Sequence, residues 1–252
     1  MIKSLYTVIE NAQVAVKTFK MVLEPTLSFR PSQGSGEICH GEFVHIAVPG
    51  FYLRRPLSVC DWEEGKLTVV YKVVGEGTKV LSETRTGTVL EVLTGLGRGF
   101  DPEACQENAL LVGGGLGVPP LYLLAKELKA RGKKVTAVLG FNKADEIILA
   151  EEFRNVCDGV VISTADGSVG VKGFVTDALK ATMPAYDYYY TCGPMVMMRA
   201  VCATLEGPGE ASLEERMGCG AGFCYCCSIE TVDGPRRVCK DGPVFRKEEL
   251  LW

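Results

Sequence analysis

The fold is decided near the middle of the chain, by the stretch Ala109-Leu110-Leu111-Val112-Gly113-Gly114-Gly115-Leu116-Gly117-Val118-Pro119-Pro120. Its opening apolar run is typical of a buried strand, and a helical pattern follows at residues 121–130. The glycines between them permit a tight turn. A strand, a glycine-rich turn and a helix in this order present helix N–H groups to a diphosphate. We therefore expect a dinucleotide site that includes Gly113, Gly114, Gly115 and Gly117.

This stretch departs from the common dinucleotide fingerprint. That fingerprint reads G-x-G-x-x-G, and Val118 or Pro120 stands here where its third glycine would be. No acidic residue follows the next strand at the position that usually contacts the ribose. A glycine-rich turn with a purely structural role is therefore the alternative.

Downstream of this stretch, strands and helices alternate. The pattern predicts strands at residues 135–139, 160–163 and 188–191, and helices at residues 145–156, 175–180 and 196–205. Such alternation indicates a doubly wound parallel sheet. Cys192, Gly193 and Pro194 follow the last of these strands, at the sheet edge where ligands bind in open α/β folds. We expect them to lie near a bound nicotinamide, with Cys192 facing it; a small buried cysteine in an ordinary turn is the alternative.

Upstream of residue 102, the chain consists of short alternating segments. Strands are predicted at residues 18–23, 43–48, 67–73 and 88–93, separated by turns. This pattern favours an antiparallel barrel or sandwich. Arg55 offers a guanidinium fork for a pyrophosphate, Ser58 a hydroxyl for a flavin ring, and the turn at residues 77–78 backbone N–H groups for phosphate. Taken alone, the signal is weak, because an Arg-Pro beside a strand is usually part of an ordinary turn.

Residues 211–252 contain five of the eleven cysteines. Four of these have the spacing C-x4-C-x2-C-x11-C, namely Cys219, Cys224, Cys227 and Cys239. A C-x4-C-x2-C run followed by a distant cysteine is the spacing of plant-type [2Fe–2S] sites. A structural zinc site with four thiolates is the alternative, although zinc sites favour two C-x2-C pairs and only one is present. Cys226 adjoins Cys227 and is expected to be a bystander.

Composition limits the class of protein. The 252 residues suffice for two domains and a small third unit, which we place at residues 1–101, 102–210 and 211–252. A net charge of −4 argues against nucleic-acid binding, and the apolar residues 110–125 contain too many glycines and prolines for a membrane span. The cysteine usage and the absence of a secretory leader pattern lead us to expect a cytoplasmic protein. Two histidines leave little material for imidazole catalysis.

Together, the motifs at residues 55–58, 113–120 and 192–194 resemble, in their order, the ferredoxin reductase-type flavoproteins. In that family an antiparallel barrel holds FAD and a following α/β domain holds NAD(P). Adding residues 214–219 and 238–245 narrows the resemblance to the electron-transfer subunits of type B dihydroorotate dehydrogenase, over essentially the whole chain.

The resemblance implies a set of cofactor contacts. FAD would be bound by three segments, namely Arg55, Pro56, Leu57 and Ser58; Val70, Tyr71 and Lys72; and Gly77 and Thr78. The [2Fe–2S] cluster would be bound by Cys219, Cys224, Cys227 and Cys239. NAD would be the nicotinamide substrate. A flavin joins two-electron and one-electron carriers, so FAD would lie between NAD and the cluster.

The resemblance also implies a partner and a pathway. Electrons would enter from the FMN of a dihydroorotate dehydrogenase catalytic subunit and leave on NAD+, in pyrimidine biosynthesis. The expected assembly is a heterotetramer with two copies of each subunit. We expect residues 217–227 and 241–245 to face the partner, with Phe223 and Tyr225 as apolar anchors.

Two other interpretations are open. The nearer one is a related FAD and [2Fe–2S] subunit of a ferredoxin- or sulfide-linked NAD(P) oxidoreductase, because such subunits share the three motifs. The more distant one is a non-enzymatic interaction module with a zinc-bound tail. Flavin and cluster bands in the visible spectrum of the purified protein would exclude the zinc-bound interaction module.

Overall fold

A computed structural model describes residues 1–26 and 38–252. Its N-terminal part contains the strands β1 (Ile2–Ala15), β2 (Thr18–Pro25), β3 (Phe43–Ile46), β4 (Arg55–Glu63), β5 (Lys66–Lys72) and β6 (Val89–Leu96), with helix α1 (Glu76–Ser82) between the last two. These strands form a closed antiparallel barrel in the order β1-β2-β5-β4-β3-β6. The predicted barrel is thereby confirmed.

The alternation of side chains explains the barrel. Met21 and Leu23 of β2 and Leu67 and Val69 of β5 are fully buried in one packed interior, and the residues between them lie on the outer face. Closure leaves no open sheet edge among these strands, which is the usual solution for a small antiparallel sheet.

The middle of the chain forms six strands of a seven-stranded sheet. Its elements are β7 (Asn108–Gly114), α2 (Pro120–Ala130), β8 (Lys134–Phe141), α3 (Ala150–Val156), β9 (Gly159–Thr164), β10 (Val171–Lys172), α4 (Val175–Thr182), β11 (Tyr188–Cys192), α5 (Met195–Thr204) and β12 (Gly209–Ser212). β7 lies at the centre of the sheet, and its residues 109–114 are buried. That central position explains why its sequence is continuously apolar rather than alternating. The predicted doubly wound α/β domain is confirmed.

The C-terminal part is small and returns to the sheet. It contains a hairpin of β13 (Ser228–Thr231) and β14 (Gly234–Arg237), the short helix α6 (Val238–Asp241) and strand β15 (Val244–Arg246). β15 pairs antiparallel with β12, so that Ala211 lies opposite Phe245. The sheet order is therefore β10-β9-β8-β7-β11-β12-β15.

Several elements differ from the sequence prediction, which also omitted α1, β10, β12 and the elements of the C-terminal part. β1 and β4 were not predicted; β4 begins beside Pro56 and contains Asp61, and both residue types are uncommon in strands. The helix predicted at residues 145–156 begins only at Ala150, because Leu149 has a left-handed backbone with φ 58°. A short 3-10 turn, Ala144–Glu146, occupies the first part of the predicted helix.

The barrel and the α/β domain pack directly on each other. Helix α2 lies against β4, where Lys126 and Asp61 form an ion pair at 3.0 Å. Lys72 of β5 forms a second ion pair with Glu146 at 3.3 Å. Val70 points out of the barrel into the core of the α/β domain. No helix in the two described ranges is long and apolar enough to cross a lipid bilayer.

Candidate functional site

The glycine-rich turn and the cysteine turn form one edge of the sheet. β7 and β11 are neighbours, and Gly113 lies opposite Cys192 at their carboxyl ends. The two turns touch through their backbones, since a side chain at Gly117 would overlap the Cys192 carbonyl. A side chain at Gly114 would overlap the sulfur of Met197. The structure therefore brings together the two segments that were predicted to bind the nicotinamide dinucleotide.

Cys192 lacks the properties of a nucleophile. Its side chain is buried, and burial raises the pKa of the thiol to about 12. Because the thiolate is the reactive form of cysteine, this residue stays protonated and inert near neutral pH. Its position fits a contact with a bound ligand better than covalent chemistry, and its proximity to a nicotinamide stays a prediction.

The predicted FAD arginine converges with the α1 turn. The Arg55 guanidinium lies so close to Gly77 that a side chain there would overlap it. Arg55 also donates to the Leu53 carbonyl at 2.6 Å. Arg54 instead forms an ion pair with Glu91 on β6. Of the two arginines, Arg55 is therefore the one placed beside the predicted phosphate-binding turn.

The rest of the predicted FAD segments divides between exposed and buried positions. Ser58 is exposed on β4, whereas Tyr71 points into the barrel and donates its hydroxyl to Asn11 at 2.9 Å. The Thr78 hydroxyl accepts the Val74 N–H at 3.0 Å. A ligand on the outer face of β5 would therefore meet backbone and outward-facing side chains rather than the Tyr71 ring. These contacts stay predictions.

The four predicted cluster cysteines lie in two pairs. Cys219 Sγ accepts the N–H of Cys224 at 3.4 Å, and Cys224 Sγ accepts the N–H of Cys219 at 3.4 Å. Cys227 Sγ accepts the N–H of Cys239 at 3.4 Å. Phe223 adds a further N–H to Cys219 Sγ at 3.2 Å. The loop thus directs backbone donors at sulfur, which favours negatively charged thiolates.

This donor set fits a [2Fe–2S] cluster. Such a cluster takes four thiolates, shared between its two irons, and two pairs of cysteines match that requirement. Within residues 1–26 and 38–252, no three His, Cys, Asp or Glu side chains are grouped to hold a single metal ion. Hydrogen bonds from backbone N–H groups lower the pKa of Cys224 to about 6, so its thiolate forms readily. The ligand assignment to individual cysteines stays a prediction.

Cys226 lies beside this arrangement. It is exposed, and its Sγ donates to the Cys224 carbonyl at 3.8 Å. The side-chain hydrogen bond to Cys224, and then the negative charge of that residue, raise the pKa of the Cys226 thiol. A thiol that stays protonated while its neighbour ionises agrees with the predicted bystander role.

Two side chains that the sequence analysis missed hold the cysteine loop. Arg237 donates to the Gly222 carbonyl at 2.9 Å and forms an ion pair with Asp241 at 3.0 Å. Its guanidinium also lies 4.9 Å from the centre of the Tyr225 ring. Opposite charges four residues apart around Cys239 were the available signal. Arg237 therefore fixes the loop that presents the thiols.

The exposed surface of the C-terminal part differs from the prediction in one segment. Phe223 is 80% exposed and Tyr225 is 65% exposed, as expected of side chains that face a partner. Residues 242–245 are buried instead, because Phe245 packs in the core shared with Cys227. The predicted contact surface is therefore wrong for this segment.

Two family models match the chain. The iron-sulfur cluster binding domain of dihydroorotate dehydrogenase B matches residues 214–251. The oxidoreductase NAD-binding domain matches residues 111–203. The first covers all four predicted cluster cysteines, and the second covers both turns at the sheet edge.

Curated relatives match over nearly the full length. A protein of Fusobacterium nucleatum subsp. nucleatum is 41% identical, covering 97% of this chain and 96% of the relative. A protein of Lysinibacillus sphaericus is 41% identical, covering 95% of each. Both are named dihydroorotate dehydrogenase B (NAD(+)), electron transfer subunit.

Solved structures share the architecture. One, from a study of flavin-based electron bifurcation in an NADH-dependent reduced ferredoxin-NADP oxidoreductase, has a TM-score of 0.87 and 33% identity, covering 99% of this chain and 90% of the other. A ferredoxin NADP+ reductase from Neisseria gonorrhoeae with bound FAD and NADP has a TM-score of 0.66 and 16% identity, covering 80% and 89%. The second likeness concerns the fold alone.

Proposed function

Because this chain belongs to the family of electron transfer subunits of NAD(+)-dependent dihydroorotate dehydrogenase B, we propose that its electron partner is the FMN of a separate catalytic subunit. The chain is an NAD-linked oxidoreductase subunit of pyrimidine biosynthesis, and it uses FAD, a [2Fe–2S] cluster and NAD. Beyond this family membership, we propose that the partner carries FMN and that the assembly contains two copies of each subunit.

One observation carries the proposal. Phe43 of β3 lies opposite Ser58 of β4, within the predicted FAD motif, and packs in the same core as Cys227 and Cys239. The predicted flavin and cluster segments are therefore separated by a single packed layer. Electron transfer between two carriers requires such proximity, and the position of β3 supports it for these two predicted sites.

The residues of this chain bind and orient rather than react. When bound, FAD exchanges a hydride with NAD and single electrons with a [2Fe–2S] cluster. Arg55 would supply charge to the pyrophosphate of FAD, the turns at residues 113–117 and 192–194 would receive the dinucleotide, and the four cysteines would hold the cluster. Both histidines are held largely neutral, since burial lowers the pKa of His40 and His45. No side chain of the site needs to move a proton.

The exposed end of the cysteine loop is the proposed partner surface. Phe223 and Tyr225 are large, apolar and exposed within a few residues of Cys224. Aromatic side chains of this kind commonly anchor protein interfaces. A partner seated on them would bring its own redox centre close to the cluster.

The experiment compares the chain alone with the reconstituted pair. Alone, the purified protein should pass electrons from NADH to an artificial dye but should not reduce NAD+ with dihydroorotate. Adding the FMN-containing catalytic subunit should create that activity. A Cys219→Ser and Cys224→Ser double variant is the control, because it should keep NADH-to-dye transfer and lose the reconstituted reaction. Dihydroorotate oxidation by the isolated chain, or no activity after reconstitution, would refute the proposal.

A second candidate is electron exchange with ferredoxin. The 33% identical structure, which covers 99% of this chain, comes from a ferredoxin-NADP oxidoreductase and favours it. Reduced ferredoxin in place of the FMN subunit tests this candidate directly. NAD+ reduction at a rate comparable to that of the reconstituted pair would support it.

A further inference from the structure

His45 lies between the predicted flavin and cluster segments. It belongs to β3, opposite Pro56 of β4. Side chains alternate along a strand, so His45 shares the outward face of Phe43, whereas Val44 points into the barrel. On that outer face its ring lies against Gly220, where any side chain would overlap it. His45 therefore touches the residue that directly follows Cys219.

The imidazole has an unmatched hydrogen-bonding atom at this contact. His45 is 1% exposed, and its Nε2 is buried without a hydrogen-bond partner among the described residues. Burial, and then the positive charge of Arg54, lower the pKa of His45 to about 4, so the ring is neutral near pH 7. Buried polar atoms are almost always paired in folded proteins. The described residues therefore leave Nε2 without the acceptor that a buried imidazole usually has.

We propose that His45 is a positioning residue of the cluster site, whose Nε2–H donates a hydrogen bond to a sulfur of the bound [2Fe–2S] cluster. The inference rests on the proposed cluster ligands. Three backbone N–H groups, from Ala221, Phe223 and Cys224, already converge on Cys219 Sγ from the loop side. His45 belongs to the barrel and meets the loop at Gly220. Together with Phe43, it is one of the side chains by which β3 reaches the C-terminal part.

This hydrogen bond has a defined electronic consequence. Hydrogen bonds to its sulfurs help to set the reduction potential of an iron-sulfur cluster. A donor stabilises the reduced cluster more, because that state carries more negative charge. His45 therefore raises the cluster potential relative to a site without it, and it does so from the strand next to the FAD motif.

The first experiment detects the bond in the unmodified protein. The holoprotein is prepared with 15N-labelled histidine, its cluster is reduced, and nitrogen couplings to the cluster are measured by pulsed electron paramagnetic resonance. Since the chain contains only two histidines, His40→Gln is a matched control. The 15N coupling should persist in His40→Gln and disappear in His45→Gln. A wild-type cluster with no 15N-histidine coupling would overturn the inference.

The second experiment measures midpoint potentials of the cluster and of FAD. His45→Leu should lower the midpoint potential of the cluster by about 59 mV. For a one-electron carrier, this shifts the distribution of electrons between the cluster and FAD about tenfold towards FAD. His45→Gln should restore most of the potential because its amide can donate. An unchanged cluster potential in a His45→Leu protein that contains the cluster contradicts the inference. If that variant does not incorporate the cluster, the coupling experiment decides. Wild-type protein without iron would instead refute the proposed function.

Discussion

Among single residues, the cysteines of the C-terminal part differ in their surroundings rather than in their chemistry. Cys227 and Cys239 are buried, whereas Cys224 and Cys226 are exposed. Backbone N–H groups point at the sulfurs of Cys219, Cys224 and Cys227, while Cys226 Sγ is itself a donor. This difference distinguishes three of the predicted ligands, Cys219, Cys224 and Cys227, from the bystander.

Replacement of single cysteines by serine tests that distinction. Serine at position 219, 224, 227 or 239 should abolish or strongly disturb the cluster, because a hydroxyl is a poor replacement for a thiolate ligand. Cys226→Ser should leave the cluster nearly intact. Iron content and visible absorption of the purified variants are the measurements. Loss of the cluster in Cys226→Ser alone would reverse the assignment.

The two adjacent arginines provide a matched pair for the flavin site. Arg55→Ala should weaken FAD binding by about 1.5–3 kcal/mol, roughly 10- to 140-fold, since a charge-assisted contact to phosphate is lost. Arg54→Ala should bind FAD nearly normally because Arg54 is paired with Glu91. FAD content after gel filtration and FAD titration of the apoprotein measure the difference. Equal retention by both variants would count against the assignment.

Sequence reasoning identifies residues whose role is encoded in local spacing. The cysteines and the residues at 55–58 belong to this class. His45 does not, because its contact with Gly220 joins positions 175 residues apart and leaves no local pattern. A histidine within an otherwise apolar strand was the only available signal.

Among the elements, the pairing of β12 with β15 buries a carboxyl group. Glu210 lies opposite Arg246, is 5% exposed and accepts the N–H of Asp101 at 3.0 Å. Burial raises the pKa of Glu210 to about 7. A raised carboxyl pKa means that the folded chain holds this proton more tightly than the unfolded chain.

The stability contributed by Glu210 is therefore complete below the unfolded pKa of about 4.3 and is lost as pH rises through 7. Glu210→Gln cannot ionise, yet its amide oxygen can still accept the Asp101 N–H. The variant should gain stability over wild type as pH rises, up to about 3 kcal/mol by about pH 8. Urea denaturation from about pH 5.5 to about pH 8 measures this difference. Glu248 is an exposed neighbour, so Glu248→Gln should change the pH dependence of the unfolding free energy little. If the stability difference between Glu210→Gln and wild type is the same at every pH, the raised pKa of Glu210 is contradicted.

The sequence pattern predicted the α/β elements more completely than the barrel strands. Buried strands such as β7 have a strong apolar signal, and the helices between them have capping and periodic patterns. β1 and β4 lie partly on the surface and contain polar residues or proline, so their identity depends on their partners in the closed barrel. Register across a barrel is a tertiary property that local propensity does not contain.

Across the whole molecule, the three parts share cores, which the sequence pattern did not predict. Phe43 of the barrel and Ala211 of the sheet pack together with Cys227 and Cys239. The division at residues 101 and 210 stays a proposal, since β15 from the third part completes the sheet of the second. Such long-range packing explains how the predicted sites come to lie close together.

The partner surface yields a prediction for the assembly. Phe223→Ser should weaken binding of the FMN subunit by about 2 kcal/mol or more, roughly 30-fold, because a central aromatic anchor is lost. The cluster spectrum should not change, since the Phe223 side chain is exposed. Phe174→Ser is the control, because Phe174 is another strongly exposed phenylalanine, 69% exposed, and lies in the α/β domain. Calorimetric titration measures both affinities; equal affinities would place the interface elsewhere.

The return of the chain to the sheet at β15 has a consequence for maintenance of the protein. Residues 213–243 leave the sheet at β12 and rejoin it on the neighbouring strand, so both ends of this segment are anchored about 4.8 Å apart. If oxidative damage removes the iron, the pairing of β12 with β15 still holds the two ends of this segment together. The entropic cost of closing the loop has then already been met by the fold. We therefore expect the sheet to hold both ends of the cysteine segment in place when the iron is lost, so that a new cluster can be inserted without unfolding of the sheet.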